Sequence, residues 1–335
     1  MIKEAIIKLM GKQDLTFEEA EQSVYEIMSG DVPDVQIGAF LVALATKGAG
    51  INEISGCAKG MRAHCERFLN DRDVLEIVGT GGDKANSFNI STASAFVCAA
   101  AGVPVAKHGN RAATSKCGTA DVIEALGAKI TIPAEKSEQI LKDINFCFLF
   151  AQNYHLSMKY VAPVRKQIPV PTVFNILGPL ANPAGASMEL MGVYDESLVE
   201  PLVHVLVKLG VKKCMVVFGQ DVLDEISISA PTTVAEYIDG EFKKYEITPE
   251  QFGIPRCTKD ELVGGTPEEN AQILKDIFSG KEHGAKRNAV LLNSAAALHV
   301  AKDVTIEEGL KIAADMIDSG KAAEKVAEFV KLTNE

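Results

Sequence analysis

The sequence predicts an α/β protein in which a small all-helical N-terminal domain precedes a larger α/β domain with a mainly parallel central sheet. Three observations lead there. The first seventy residues carry helix signals only. From Val74 onward, short apolar runs alternate with segments of helical length. Two of those runs, Val74–Val78 and Val103–Ala106, each end in a glycine-bearing loop that leads into a helix. The boundary is placed at residues 1–70 and 71–335, with helices from about 165–185 joining the small domain.

The elements follow in order. Met1-Ile-Lys-Glu-Ala-Ile-Ile-Lys8 starts a charged amphipathic helix rather than a signal peptide. Thr16-Phe-Glu-Glu19 is a capping box; Ala20, Val24, Ile27 and Met28 form the apolar stripe behind it, and Gly30 ends it. Pro33 opens a helix that is apolar almost all round from Ile37 to Ala45. A further helix is expected over about Asn52–Phe68. Such a bundle packs against something else, and a second subunit is one candidate.

Further strands are expected at 146–150, 188–193, 214–218, 233–238 and 244–247. Asp239-Gly240 is a hairpin turn, so one sheet edge is expected to be antiparallel. Gly264-Gly265 resembles another phosphate loop, but Thr266-Pro267-Glu-Glu269 after it is a capping box with proline at the first helical position, which favours a structural role.

Composition narrows the function classes. The chain has 335 residues, enough for a large core, and 47% of them are apolar. A formal charge of −11 argues against nucleic-acid or anionic-membrane partners, which need basic surfaces. No apolar run is long enough to span a bilayer. Seven cysteines are scattered with no C-x-x-C spacing, so buried free thiols in a reducing cytoplasm are the plain reading. Cys117 lies in the second glycine loop, but nothing marks a partner base for it.

The first glycine loop, Gly79-Thr80-Gly81-Gly82-Asp83, matches neither the mononucleotide nor the dinucleotide phosphate fingerprint. Glycines that turn sharply leave N–H groups uncovered, and such groups before a helix bind anions; a simple tight turn is the alternative. The second loop, Lys107 to Asp121, holds Lys107, His108, Arg111 and Lys116 among hydroxyls and glycines. Two adjacent loops suggest a ligand with two anionic groups at the carboxyl ends of the strands. Lys107 is favoured as a phosphate contact; His108 is either a proton carrier or a hydrogen-bonding loop residue. Asp224-Glu225 follows another apolar strand, and at a bend both carboxylates can face one magnesium–phosphate site. Arg165, among apolar neighbours, suits bidentate binding of a carboxylate. Phe174 to Pro183 is a defined loop beside it.

Taken together, Gly79-Thr-Gly-Gly-Asp83, Asn89-Ile-Ser-Thr92, Lys107-His-Gly-Asn-Arg111, Val164-Arg165-Lys166, Phe174-Asn-Ile-Leu-Gly-Pro-Leu180 and Leu223-Asp-Glu225 resemble the anthranilate phosphoribosyltransferase family, in order and at similar spacing across essentially the whole chain. The resemblance implies a nucleoside phosphorylase/phosphoribosyltransferase-like fold and a homodimer joined through the small domains. It implies magnesium-dependent transfer of the phosphoribosyl group of phosphoribosyl pyrophosphate to the amine of anthranilate, within tryptophan biosynthesis.

By motif, Gly79, Gly82, Asp83, Ser87, Asn89, Ile90, Ser91 and Thr92 are implied to hold phosphoribosyl pyrophosphate. So are Lys107, His108, Gly109, Asn110, Arg111, Ala112, Ala113, Thr114, Ser115 and Thr119. Gly79, Asn110 and Arg165 are implied to bind anthranilate, and Ser91, Asp224 and Glu225 to bind Mg²⁺. His108 is the candidate for an auxiliary catalytic role. The chain departs from the family pattern at Ala112, Cys117, Thr119, Ser87 and Leu156; Ser87 and Thr119 keep their hydroxyls, whereas Ala112 loses one phosphate donor and Leu156 alters the acceptor loop. Two rivals differ in signature. A pyrimidine nucleoside phosphorylase needs no metal carboxylates, and an inactive nucleic-acid-binding paralogue would carry basic patches.

Overall fold

A computed structural model describes residues 1–112 and 115–335. The chain opens with helices α1 (Ile2–Met10), α2 (Phe17–Ser29), α3 (Asp34–Lys47) and α4 (Ile51–Arg62). The Thr16 capping box forms as expected, with Thr16 and Glu19 exchanging backbone N–H bonds, and Gly30 closes α2 in the left-handed region. α4 packs closely on α2 because Gly56 and Gly60 lie one turn apart; a β-carbon at Gly56 would overlap the Phe17 carbonyl. α4 is shorter than the expected 52–68, ending at Arg62, whose guanidinium donates to the carbonyls of Leu180 (2.7 Å) and Leu209 (3.3 Å).

The rest of the chain carries β1 (Leu75–Gly79), α5 (Ile90–Ala100), β2 (Val105–Gly109), α6 (Thr119–Ala125), α7 (Ala134–Ile144), β3 (Phe146–Phe150), α8 (Ala151–Tyr154), α9 (Ala162–Gln167) and α10 (Phe174–Leu177). Then come β4 (Met188–Gly192), α11 (Val199–Lys208), β5 (Lys213–Gly219), β6 (Thr232–Ile238), β7 (Glu241–Ile247), α12 (Pro267–Phe278), α13 (Ala285–Lys302), α14 (Ile306–Asp318) and α15 (Lys321–Asn334). The sheet order is β3-β2-β1-β4-β5-β6-β7. The first five strands are parallel, and β6 and β7 add an antiparallel edge through the Asp239-Gly240 turn. The mainly parallel sheet with one antiparallel edge is therefore as expected.

Alternation divides the sheet residues between two layers. Leu75, Ile77, Val105, Phe146, Phe148 and Met215 pack with α5, α13 and α15. Met191, Val193, Cys214 and Val216 face the other way, in one apolar cluster with the N-terminal helices, Val164, Phe174 and Leu180. The helices of the first sixty residues and the 161–181 segment thus share a core. All seven cysteines are free, and five of them are buried. No single helix among the described residues is long and apolar enough to cross a membrane.

Candidate active site

β1 runs outward to β2 and β3 on one side, and the chain returns to β4 on the other. The crevice above β1 and β4 is therefore the topological switch point, where α/β sheets place ligands. Gly79 and Gly192 end these two strands in register. The Asp224 main chain lies across both: a β-carbon at Gly192 would overlap the Asp224 carbonyl, and one at Gly79 would overlap the Asp224 carboxylate.

Gly81 and Gly82 turn the following loop at φ +70° and +85°, values that favour glycine. The expectation of uncovered N–H groups needs one correction. The Gly81 N–H donates to Asp224 Oδ2 at 2.6 Å, so a carboxyl oxygen of the protein itself already occupies that N–H. Gly82 is exposed. Asp83 accepts from the backbone N–H of Ala85 (3.1 Å) and Asp224 (3.4 Å). Ser87 bridges to Val263 across a crossing segment. Burial, then the charges of Asp83 and Glu225, push the Asp224 carboxyl well above the usual carboxylate range.

The helix beyond the loop begins at Ile90, which is buried, and Asn89 precedes it. The Ser91 N–H at this positive helix end donates to Glu225 Oε1 (3.2 Å). The Thr92 hydroxyl is buried with no partner among the described residues. Lys107 is 1% exposed; its ammonium donates to the Ile77 carbonyl (2.5 Å) and Ser91 Oγ (3.2 Å). Lys107 therefore underlies the carboxylates rather than projecting from a loop. Burial raises the Glu225 carboxyl to about 7 against the pull of Lys107.

No three His, Cys, Asp or Glu side chains among the described residues converge on one point with metal-ligating geometry. The oxygen donors present include Asp224, Glu225, the neighbouring Asp83 and the Ser91 hydroxyl. That set fits a cation such as Mg²⁺, which takes one or two carboxylates and completes its shell with substrate phosphates and water.

The second loop departs further from expectation. β2 continues to Gly109 because it pairs with β3 as far as Gly109↔Phe150. Lys107 and His108 are therefore strand residues on opposite faces of the sheet, not loop cations. His108 is buried against His155, with ring centroids 5.1 Å apart, and its Nε2 has no partner among the described residues. Burial, then His155, hold it well below the ordinary histidine range, so it is neutral at physiological pH. A neutral ring brings no positive charge to the site, and its free nitrogen can still accept or donate a hydrogen bond.

Gly109 closes β2 where a β-carbon would press on Thr119 and Phe148. Asn110 accepts from Arg111 N–H (2.8 Å) and Gln152 Nε2 (3.3 Å). The Arg111 guanidinium, expected on phosphate, pairs with Asp121 (3.1 Å) and Glu124 (2.5 Å) and lies over the Phe150 ring. Asp121 Oδ2 receives the N–H groups of Ala112 and Gly118, each at 2.9 Å, and so pinches the base of the loop shut. Ser115 and Lys116 are exposed. Ala113 and Thr114 lie outside the described residues.

Arg165 sits on α9 with its guanidinium 5.5 Å from the Phe174 ring centroid. It is half-buried, burial lowers its pKa, and no carboxylate pairs with it among the described residues.

The same fold occurs in solved relatives. An anthranilate phosphoribosyltransferase of Thermus thermophilus superposes with a TM-score of 0.94 at 38% identity, covering 99% of both chains. The Saccharomyces cerevisiae enzyme in complex with PRPP and Mg superposes at 0.92 and 28% identity, covering 99% of this chain and 98% of that one. The anthranilate phosphoribosyltransferase of Methanobrevibacter smithii is 59% identical over all 335 residues, the full length of both chains. The chain belongs to the anthranilate phosphoribosyltransferase family. Models of a glycosyl transferase family match it twice, the helical bundle domain over residues 3–65 and the a/b domain over 71–323.

In this family member, three supports of the site escape sequence reasoning. Gly192 carries a signal, since it ends its strand as Gly79 ends β1. Asn182 donates to the Glu76 carboxylate and to the Ala106 carbonyl (2.8 Å), bracing β1 and β2 from below, and its place in a proline-rich loop is its only mark. Asn270 lies within α12, and nothing in its neighbours marks it.

Proposed function

We propose that this chain transfers the phosphoribosyl group of phosphoribosyl pyrophosphate to the amine of anthranilate, giving N-(5′-phosphoribosyl)anthranilate and pyrophosphate, as the family's reaction in tryptophan biosynthesis. The carrying observation is the pair Asp224 and Glu225, buried over Gly79, Gly81 and the N-terminus of α5. In the reaction the ribosyl C1–O bond breaks, pyrophosphate departs with the electron pair, and the amine nitrogen bonds C1 and then loses a proton.

Asp224, Glu225 and Ser91 would hold Mg²⁺, which when bound neutralises the departing pyrophosphate. The loop after β1 and the 109–119 loop orient the phosphates, with Arg111 leaving Asp121 or Glu124 to reach them. Arg165 and Asn110 position the anthranilate carboxylate. An arylamine is already a neutral nucleophile, so positioning and leaving-group electrostatics carry the rate. His108 orients rather than transfers a proton.

The test is fluorescence detection of phosphoribosylanthranilate with and without magnesium, comparing wild type with Arg165→Ala. Product is expected only with magnesium. Arg165→Ala is expected to raise the anthranilate KM about tenfold, the cost of one lost charge-assisted bond, and to spare the KM for phosphoribosyl pyrophosphate. Equal effects on both constants would overturn the Arg165 assignment. The carboxylate pair also disfavours the nucleoside phosphorylase reading, which has no use for it.

The assembly we propose is a homodimer through the small domain, taken as residues 1–70 with 165–185 against 71–335. Val35, Ala39 and Val42 line one exposed side of α3, and Ile7 and Met10 of the adjoining α1 are also exposed. Five buried free thiols accord with a cytoplasmic location.

A further inference from the structure

A crossing segment, residues 258–265, lies against the stretch between the glycine loop and α5. Phe88 N–H donates to the Leu262 carbonyl (3.0 Å), and Gly264 N–H donates to the Asn86 carbonyl (2.9 Å). A β-carbon at Gly264 would stand 2.5 Å from Asn270 Oδ1 and 2.8 Å from Phe88 Cα, so the approach needs glycine. Asn270, 1% exposed, sits at the end of this contact.

Its amide has a determined polarity. Gly265 N–H can only donate, and it meets Asn270 Oδ1 at 2.9 Å. The Asn270 amino group therefore faces Asn89, donating to its Oδ1 at 3.1 Å. The Cys117 thiol, from the second glycine loop, points at the same oxygen (3.4 Å). Two donors thus fix the Asn89 carbonyl inward. The Asn89 amino group is left facing away from them, with no acceptor among the described residues, immediately before the N-terminus of α5.

We infer that Asn270 is a positioning residue for phosphoribosyl pyrophosphate: through the relay Gly265 N–H, Asn270, Asn89 it turns the Asn89 amino group toward the anionic substrate. This rests on the reading of Asn89 as a contact of that substrate. Asn270 itself touches no reacting atom.

The isosteric variant Asn270→Asp tests it. A carboxylate still accepts from Gly265, so the crossing segment keeps its bond. Its second oxygen faces Asn89, whose amide turns over to donate to it and presents a carbonyl to the substrate. The expected result is a rise of about tenfold in KM and in the calorimetric Kd for phosphoribosyl pyrophosphate, with the anthranilate KM and the melting temperature unchanged. Asn89→Ala and the double variant are measured alongside. If the relay operates, Asn89→Ala also raises the constants for phosphoribosyl pyrophosphate, and adding Asn270→Asp to it changes nothing further.

An additive double variant would mean that the new charge acts alone, and would overturn the relay. So would a silent Asn270→Asp beside an impaired Asn89→Ala, or a loss shared equally by both substrates together with a lower melting temperature. A silent Asn89→Ala would overturn the substrate contact itself, and the relay with it.

Discussion

Gly192 shows how little space surrounds the carboxylates. Its missing side chain is filled by the Asp224 main chain, and Asp224 in turn caps Gly81. Gly192→Ala leaves strand geometry available, since Gly192 has no positive φ, but it must push Asp224 away. Activity is expected to fall at least about a hundredfold, with the magnesium concentration for half-activity raised, on the order of a catalytic donor lost from a preorganised site. Circular dichroism should stay unchanged. A Gly192→Ala enzyme with normal magnesium response would show that Asp224 need not lie where it does. Residues with chemistry visible in their own side chains, such as Arg165, Asp224 and Glu225, were legible in the sequence. Gly192 and Asn270 act by what they leave room for or what they turn, and that depends on partners far along the chain.

At the level of elements, β1 and β4 lie side by side with Glu76 opposite Glu189, both buried and on the same face. Glu76 Oε2 accepts from His108 N–H (2.9 Å) and from Asn182, while Oε1 and Glu189 Oε1 have no partner among the described residues. Burial pushes the Glu76 carboxyl from its ordinary 4.5 to about 7, and raises Glu189 well above the carboxylate range. A carboxyl whose pKa rises on folding favours the fold fully below pH 4.5 and loses that contribution as pH climbs through 7.

Glu76→Gln keeps the acceptor for His108 and Asn182 and cannot ionise. Relative to wild type it is therefore expected to gain on the order of 2 kcal/mol of unfolding free energy between about pH 4.5 and 8. Urea unfolding at several pH values measures this, and parallel curves would refute it. The same strands explain what the sequence hid. Short strand-like runs, with the Asp239-Gly240 turn, gave the existence of all seven strands, whereas their order across the sheet is set by crossovers. The polar Lys107-His108 pair looked like the start of a loop, because burial of an ion is legible only when its partners, Ile77 and Ser91, are in place.

The whole molecule packs its N-terminal helical layer on one face of the sheet and opens its candidate crevice at the carboxyl ends of the central strands β1 and β4. α3 was expected to be apolar almost all round, and it is: one side packs inward through Ile37, Phe40, Leu41 and Leu44, while Val35, Ala39 and Val42 remain outside. Ala39→Arg sets a charge in that stripe. It is expected to convert a dimer into a monomer in sedimentation velocity without altering the fold, and an unchanged mass would remove α3 from the interface.

The hydrogen bond from Asn270 to Asn89 joins residues 181 positions apart. During synthesis the chain emerges from its N-terminus. The helical layer and the first three strands leave the ribosome while the segment that fastens Asn89 is still untranslated. A nascent chain halted before residue 270 carries both glycine loops, yet lacks the partner that orients one of them. The Asn270–Asn89 bond is thus one that the growing polypeptide can form only after all seven strands have been translated.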